Sequence, residues 1–350
     1  MKTVGFVISH KNNERRRALL PDDLKNIKNL THLYFEKGYG ESVGYSDEEY
    51  IQFGVNIVSR EEVLKCDVLV DVKLGDADYF DVIKEPKLLV GWAHAVQNID
   101  FTTKVLESNH SVLAWEEIFE NGRYIFYRNR EVAGEAAILH AFRYSGRLPY
   151  DSKVAIIGNG QTGKGAFRIL AGLGAEVDIY SRKQEGMFKT NMYQYDVIVN
   201  CVMWDTNRKD RLIYKDDLKK FRKGTLIIDV SCDPYLEIET SHPTTIDNPV
   251  YEVDDVIHYA VDNTPAMYPI SVTKNLSKVF STYVDFIVTG EYTESLKKAM
   301  VIDKGHILDD NIIKFRMDRN IFCKWFFKVE NFKIWNLYLI SFSRKTIKIL

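Results

Sequence analysis

Residues 153–182, KVAIIGNGQTGKGAFRILAGLGAEVDIYSR, leave the chain little choice of fold, because they read as strand, glycine turn, helix and second strand. The run Val154-Ala155-Ile156-Ile157 suits a strand buried on both faces, and Gly158-Asn159-Gly160-Gln161-Thr162-Gly163 follows it at once. In a G-x-G-x-x-G turn the first glycine permits the sharp bend and the second lets the backbone approach a pyrophosphate. The third lets the helix lie close to the sheet. The free N–H groups of that helix's first turn then face the phosphates. The unit is therefore expected to bind a dinucleotide through Gly158, Asn159, Gly160, Gln161, Thr162 and Gly163. Its second strand, 176–180, ends in Ser181-Arg182-Lys183, where an NAD-selecting site places an acid on the ribose 2′-hydroxyl. A guanidinium and an ammonium suit a 2′-phosphate instead, so NADPH is the expected cofactor, held there by Ser181, Arg182 and Lys183.

A chain of 350 residues has length for about two domains, and its hydrophobic fraction of 45% can fill a core in each. With 47 basic against 49 acidic residues there is no electrostatic case for nucleic acid or an anionic membrane, which leaves small molecules as the expected partners. Cys66, Cys201, Cys232 and Cys323 have neither C-x-x-C nor zinc spacing; they read as reduced thiols of a cytoplasmic protein, and no metal is expected. The opening residues turn polar by Ser9, too soon for a signal peptide, and no long uncharged apolar run is present to span a membrane.

Apolar runs at 4–8, 32–35, 67–72, 88–92 and 112–115 read as strands, separated by polar helical stretches such as 21–27 and 47–53. Alternation of this kind implies a mostly parallel sheet. A helical stretch at 131–144 leads to Gly146 and Pro149, whose turn chemistry marks a boundary. Beyond the glycine unit, strands are expected at 195–200, 225–230 and 256–261, and a last long helix at 271–288 that can return to the first domain. The fold class is thus α/β, with two Rossmann-like doubly wound domains, the first discontinuous. A substrate domain takes 1–148 plus about 265–316, and a nucleotide domain 149–264. Residues 317–350, rich in aromatic and basic side chains such as Phe322, Trp325 and Trp335, form an atypical extension.

Three clusters end strands of the first domain: Glu14-Arg15-Arg16-Arg17-Ala18-Leu19-Leu20-Pro21, Val70-Asp71-Val72-Lys73 and Gly91-Trp92-Ala93-His94-Ala95. Singly, each has a plain explanation as a solvated arginine run, a surface lysine or a core histidine. Together, an Arg, a Lys and a His at one sheet edge can bind a keto-acid carboxylate, polarise its carbonyl and carry a proton. Glu116 and Glu117, after the strand ending at Trp115, can hold an ammonium group.

On these segments the chain, over about residues 1–316, resembles the alanine dehydrogenase and pyridine nucleotide transhydrogenase family, with its saccharopine dehydrogenase relatives. The resemblance implies that Arg16 binds pyruvate, that Lys73 contacts substrate, that His94 is the catalytic acid/base and that Asp233, in Ile228-Asp229-Val230-Ser231-Cys232-Asp233, is a second catalytic acid. The family's V-A-N-M-P-G segment is altered here to Val261-Asp262-Asn263-Thr264-Pro265-Ala266. The missing NAD-selecting acid and a shorter linker between Gly146 and Lys153 depart from alanine dehydrogenase itself. VGFVISHKNNERRRALLP, LYFEKGYGE and IDVSCDPYLEIETSHPTT resemble more closely the opine-type, carboxyethylornithine-forming branch. That branch implies NADPH-dependent condensation of pyruvate with the side-chain amine of ornithine or lysine, by a cytoplasmic homo-oligomer. An ammonia-releasing amino-acid dehydrogenase and a silent NADP-binding sensor are the alternatives.

Overall fold

The computed structural model describes residues 1–205 and 208–321. The aromatic extension from Phe322 onward lies outside the described residues.

Six short strands build the first sheet: β1 (Val4–Phe6), β2 (Leu33–Glu36), β3 (Asn56–Val58), β4 (Val68–Val70), β5 (Leu88–Gly91) and β6 (Ser111–Ala114). They run parallel in the order β3-β2-β1-β4-β5-β6. Strands β1, β4 and β5 are buried throughout, as their unbroken apolar sequences require of strands covered on both faces. A hairpin, β7 (Phe119–Glu120) with β8 (Arg123–Tyr124), follows. The second sheet contains β9 (Lys153–Ile157), β10 (Glu176–Tyr180), β11 (Val197–Asn200), β12 (Leu226–Asp229), β13 (Val250–Val253) and β14 (Val256–Tyr259), in the order β10-β9-β11-β12-β14-β13. All but β13 are parallel. The order reverses between β1 and β4 in one sheet and between β9 and β11 in the other, and such switch points open crevices at the carboxyl ends of strands.

Among the helices, α1 (Ile99–Glu107) joins β5 to β6, α2 (Tyr127–Ala141) links the sheets, and α3 (Gln161–Gly172) follows the glycine turn. Helix α4 (Pro269–Thr289) brings the chain back: Phe280 packs on Trp115 with ring centroids 5.0 Å apart, and Leu276 and Val284 join the same core as Phe6 and Val70. The chain then adds β15 (Met300–Asp303) antiparallel to β6, with β16 (His306–Ile307) outside it. The first α/β unit is therefore discontinuous in sequence.

The differences from sequence expectation have local causes. Helix α2 begins at Tyr127 and not at 131 because its polar first turn is held from within the helix, Arg128 to Glu131 and Glu135, and from outside it by Arg16, which donates to Asn129. Strands β3, β13 and β15 are three or four residues long, too short for alternation to mark, and gain their partners only from the assembled sheets.

Candidate active site

The segments leaving the carboxyl ends of β1, β4, β5 and β6 carry the polar side chains of the first domain. Asp71, after β4, accepts the Ser9 hydroxyl at 2.5 Å and the Lys73 backbone N–H at 3.0 Å, tying two of these segments together. Its burial pushes its pKa up to about 6. Lys73 is 7% exposed, with Nζ 3.8 Å from Asp76 Oδ2. Burial lowers its pKa; Asp262 opposes the shift and Lys11 adds to it.

His94 has φ +49°, a left-handed backbone that only a held residue retains. Glu116 holds it, accepting the Ala93 N–H at 3.2 Å and the His94 N–H at 2.5 Å. The imidazole is open to the cleft and makes no hydrogen bond with the described residues. Its pKa is well below the usual histidine value, through the withdrawal of water by the cleft walls and then the charge of Lys73, with Lys11 and Arg16 also opposing protonation. Asp262 works against the shift without reversing it, and His94 is neutral at pH 7. Glu116 thus differs from its expected part as an ammonium site: both carboxylate oxygens face backbone N–H groups, and burial raises its pKa.

Arg16 also departs from expectation. Read from sequence as a carboxylate binder, it is 2% exposed, and its fork is engaged by Glu14 at 2.8 Å from Nε and 2.5 Å from Nη2. Nη1 donates to Asn129 at 2.9 Å and Nη2 to Asn263 at 2.7 Å, and the guanidinium lies 4.9 Å from the Trp92 ring centroid. Burial alone would raise the Glu14 pKa, but the Arg16 charge and hydrogen bonds win and hold it at about 2. Arg16 is a neutralised strut with a single Nη1 hydrogen left over.

On the nucleotide side the three glycines divide by function. Gly158 has φ +105°, and a Cβ there would lie 2.6 Å from the Cys201 carbonyl oxygen; at Gly163 it would lie 2.0 Å from the Gly158 oxygen. Both are demanded by the protein itself. A Cβ on Gly160 would meet nothing within 4 Å, and Asn159 and Gly160 are exposed, with Gln161 and Thr162 half-buried beside them. That open backbone, at the start of the twelve-residue helix α3, is the cradle a pyrophosphate fits. Ser181 is tied to Gln184, its hydroxyl 2.7 Å from Oε1, while Arg182 and Lys183 are exposed and pair with no carboxylate among the described residues.

Asp233, past β12, is half-buried, and burial followed by the Asp229 charge raises its pKa. Its support was not legible in the sequence: Asn200 donates to Asp229 at 2.9 Å and to Glu237 at 2.8 Å, and Ser241 donates to Asp229, all four residues buried. Burial and Asp229 push Glu237 up to about 7.

The structure brings Lys73, His94 and Arg16 within electrostatic reach of one another, whereas Asp233 follows β12 and the 181–183 turn follows β10, both in the second sheet. It adds three residues that sequence reasoning missed. Lys11 reaches Asp262 at 2.7 Å and Asp76 at 3.4 Å, joining the segment after β1 to the one after β14. The signals were present, Lys11 in the same run as Glu14 and Asp262 at the altered family position, but neither points to the other without the fold.

Among the described residues, no helix is long and apolar enough to cross a membrane and no cluster of metal-ligand side chains occurs. Comparison with known proteins agrees with this architecture. The model "Alanine dehydrogenase/PNT, N-terminal domain" matches residues 8–126 and "Alanine dehydrogenase/PNT, C-terminal domain" residues 180–314, while a 2-hydroxyacid dehydrogenase NAD binding domain model matches 118–237. The N(5)-(carboxyethyl)ornithine synthase of Lactococcus lactis subsp. lactis is 33% identical over 79% of this chain and 94% of its own length. Alanine dehydrogenase 1 of Staphylococcus aureus is 23% identical over 86% of this chain and 92% of its own. A solved L-alanine dehydrogenase superposes with a TM-score of 0.78 at 21% identity, covering 90% of this chain and 99% of that one. The chain belongs to the alanine dehydrogenase/PNT family and is a nicotinamide-nucleotide oxidoreductase, more similar in sequence to that carboxyethylornithine synthase than to that alanine dehydrogenase.

Proposed function

We propose that this chain catalyses the NADPH-dependent reductive condensation of pyruvate with the side-chain amine of L-ornithine, or L-lysine, giving a secondary amine such as N5-(1-carboxyethyl)ornithine. The observation that carries the reading is the 33% identity to a carboxyethylornithine synthase across nearly that protein's whole length. The cluster of Lys73, His94 and Arg16 beyond the carboxyl ends of β1, β4 and β5 supports it, with the open Gly160 backbone at the strand ends of the second sheet.

Lys73 receives the pyruvate carboxylate, to which Arg16, paired with Glu14, offers its one remaining Nη1 hydrogen. The side-chain amine reacts as its free base, its ammonium proton left to solvent, and attacks the keto carbon beside His94, which is neutral at pH 7. Acting in turn as base and acid, His94 carries one proton from the amine nitrogen to the keto oxygen, which with a second proton from solvent leaves as water; the C=N bond left keeps one N–H, so hydride addition gives the neutral secondary amine. The C=N bond formed is the one reduced. NADPH, when bound at residues 158–163 and 181–183, supplies the hydride. Arg182 and Lys183 take the 2′-phosphate, and Asp233 orients the nicotinamide side of the site. Glu116 keeps His94 in its left-handed conformation and so aims the imidazole.

The test is NADPH oxidation with pyruvate across a panel of amines, with products identified by mass. Ornithine is expected to give a product containing both carbon skeletons. Alanine as the sole product from ammonia would instead identify an amino-acid dehydrogenase, and cofactor binding without turnover a sensor.

A further inference from the structure

An amine that carries an amino-acid head group must be held by that head as well as by its reacting end. Glu116, the acid that the sequence offers for this purpose, is engaged by two backbone N–H groups. Another arrangement at the mouth of the same site has the right chemistry. Asp262, Lys11, Asp76 and Lys73 form an alternating row of charges: Asp262 Oδ2 to Lys11 Nζ at 2.7 Å, Lys11 Nζ to Asp76 Oδ2 at 3.4 Å, and Lys73 Nζ to Asp76 Oδ2 at 3.8 Å. The inner end is buried, with Lys73 7% exposed. The outer end is accessible, the side chains of Lys11 and Asp262 being 24% and 51% exposed.

Asp262 is also placed with care. Its neighbour Asn263 sits in the left-handed region at φ +65° and is fastened to Arg16 at 2.7 Å and Glu14 at 2.9 Å, and the Asp262 N–H donates to Thr244 at 3.1 Å. Its Oδ1 makes no hydrogen bond with the described residues, and the Lys11 ammonium has a third N–H beyond its two carboxylate partners. Lys11 shares the Asp76 carboxylate with Lys73, at 3.4 Å and 3.8 Å, so the pair lies beside the reacting end of the site. Exposed ion pairs of this sort contribute little to stability, and exchanging one for the groups of a substrate costs the fold little.

We propose that Lys11 and Asp262 form the receptor for the zwitterionic head of the second substrate, Lys11 taking its α-carboxylate and Asp262 its α-ammonium. This rests on the condensation reading above and names the residues by which the enzyme distinguishes a diamino acid from a simple amine.

The test compares two amines in one protein sample, so that the active fraction cancels: L-ornithine, and 5-aminopentanoate, which is ornithine without its α-amino group. In the unmodified enzyme the ratio of kcat/KM for ornithine to that for 5-aminopentanoate reflects the bond to Asp262, and Asp262→Asn is expected to lower that ratio by about ten- to a hundredfold, the usual worth of a hydrogen bond between charged groups. Lys11→Met is expected to lower, by a similar factor, the ratio for ornithine over 1,4-diaminobutane, which lacks the carboxylate. Ratios unmoved by these substitutions, in an enzyme that does condense pyruvate with ornithine, overturn the receptor assignment alone. No secondary amine from the unmodified enzyme overturns the condensation reading and this assignment with it.

Discussion

Replacing Gly160 by Ala separates a glycine kept for a ligand from one kept for the fold. Its φ of −83° and ψ of −167° are open to alanine, and the added Cβ meets no protein atom within 4 Å. Folding stability is therefore expected to stay level or rise by about 0.4–1 kcal/mol, from the narrower unfolded ensemble. The open side of Gly160 is where the pyrophosphate must approach, and losing one charged backbone hydrogen bond of about 1.5–3 kcal/mol weakens NADPH binding by about 10- to 150-fold. Gly163→Ala is the control, because its Cβ would stand 2.0 Å from the Gly158 carbonyl oxygen. Backbone cannot yield there as a side chain can, so overpacking is expected to cost about 1–3 kcal/mol or more. That lowers Tm by about 2–4 °C for each kcal/mol in a domain of 150–250 residues. Thermal melts without ligand, with NADPH titrations by fluorescence, read both quantities. A Gly160→Ala protein that melts as low as Gly163→Ala, or binds NADPH as tightly as the unmodified chain, refutes the assignment of this turn as the pyrophosphate site.

Arg182→Ala is expected to cost NADPH about one to two decades in affinity while barely changing NADH, since Arg182 has no other charged partner among the described residues; equal use of both cofactors by the unmodified enzyme contradicts it. His94→Ala should leave NADPH binding intact and lower turnover about a hundredfold to ten-thousandfold, as measured by single-substrate kinetics at saturating cofactor. Glu116→Ala is expected to reduce kcat more than Glu116→Gln, which keeps one oxygen acceptor for the 93–94 backbone; equal kcat in the two variants would mean that Glu116 does not position His94. For Glu14, the folded pKa of about 2 lies below its ordinary value, so its contribution is complete above the ordinary carboxylate range and is lost as pH falls through the folded value. Glu14→Gln should flatten the acid limb of the stability curve there, in melts taken at successive pH values.

The local chemistry of the chain was largely legible in sequence. An apolar run, three spaced glycines and a basic strand end are short-range patterns, and each keeps its meaning whatever lies elsewhere, so the dinucleotide unit could be read directly from residues 153–183 and the likeness to a family from short motifs such as 14–21 and 228–233. The alternation of strands and helices likewise fixes α/β layering, because buried parallel strands must be apolar and their crossovers amphipathic. Lys73 and His94 were legible for a related reason: a polar residue that ends a buried strand is carried to the sheet edge where sites form.

What the fold alone decided is what each of these groups faces. Sequence marks Arg16 as a charge, but only packing shows it neutralised by Glu14 and walled in by Trp92, Asn129 and Asn263, the last of them 247 positions away along the chain. Glu116 reads as an exposed acid after a strand until β5 and β6 pair and set it under the 93–94 backbone. Asp262 is a single altered letter until β14 and β1 end at one cleft and place it 2.7 Å from Lys11. Charge and hydrogen-bonding capacity belong to a residue and travel with its name. Burial and partners belong to positions in space, and when contacts join segments far apart in the chain no local pattern records them.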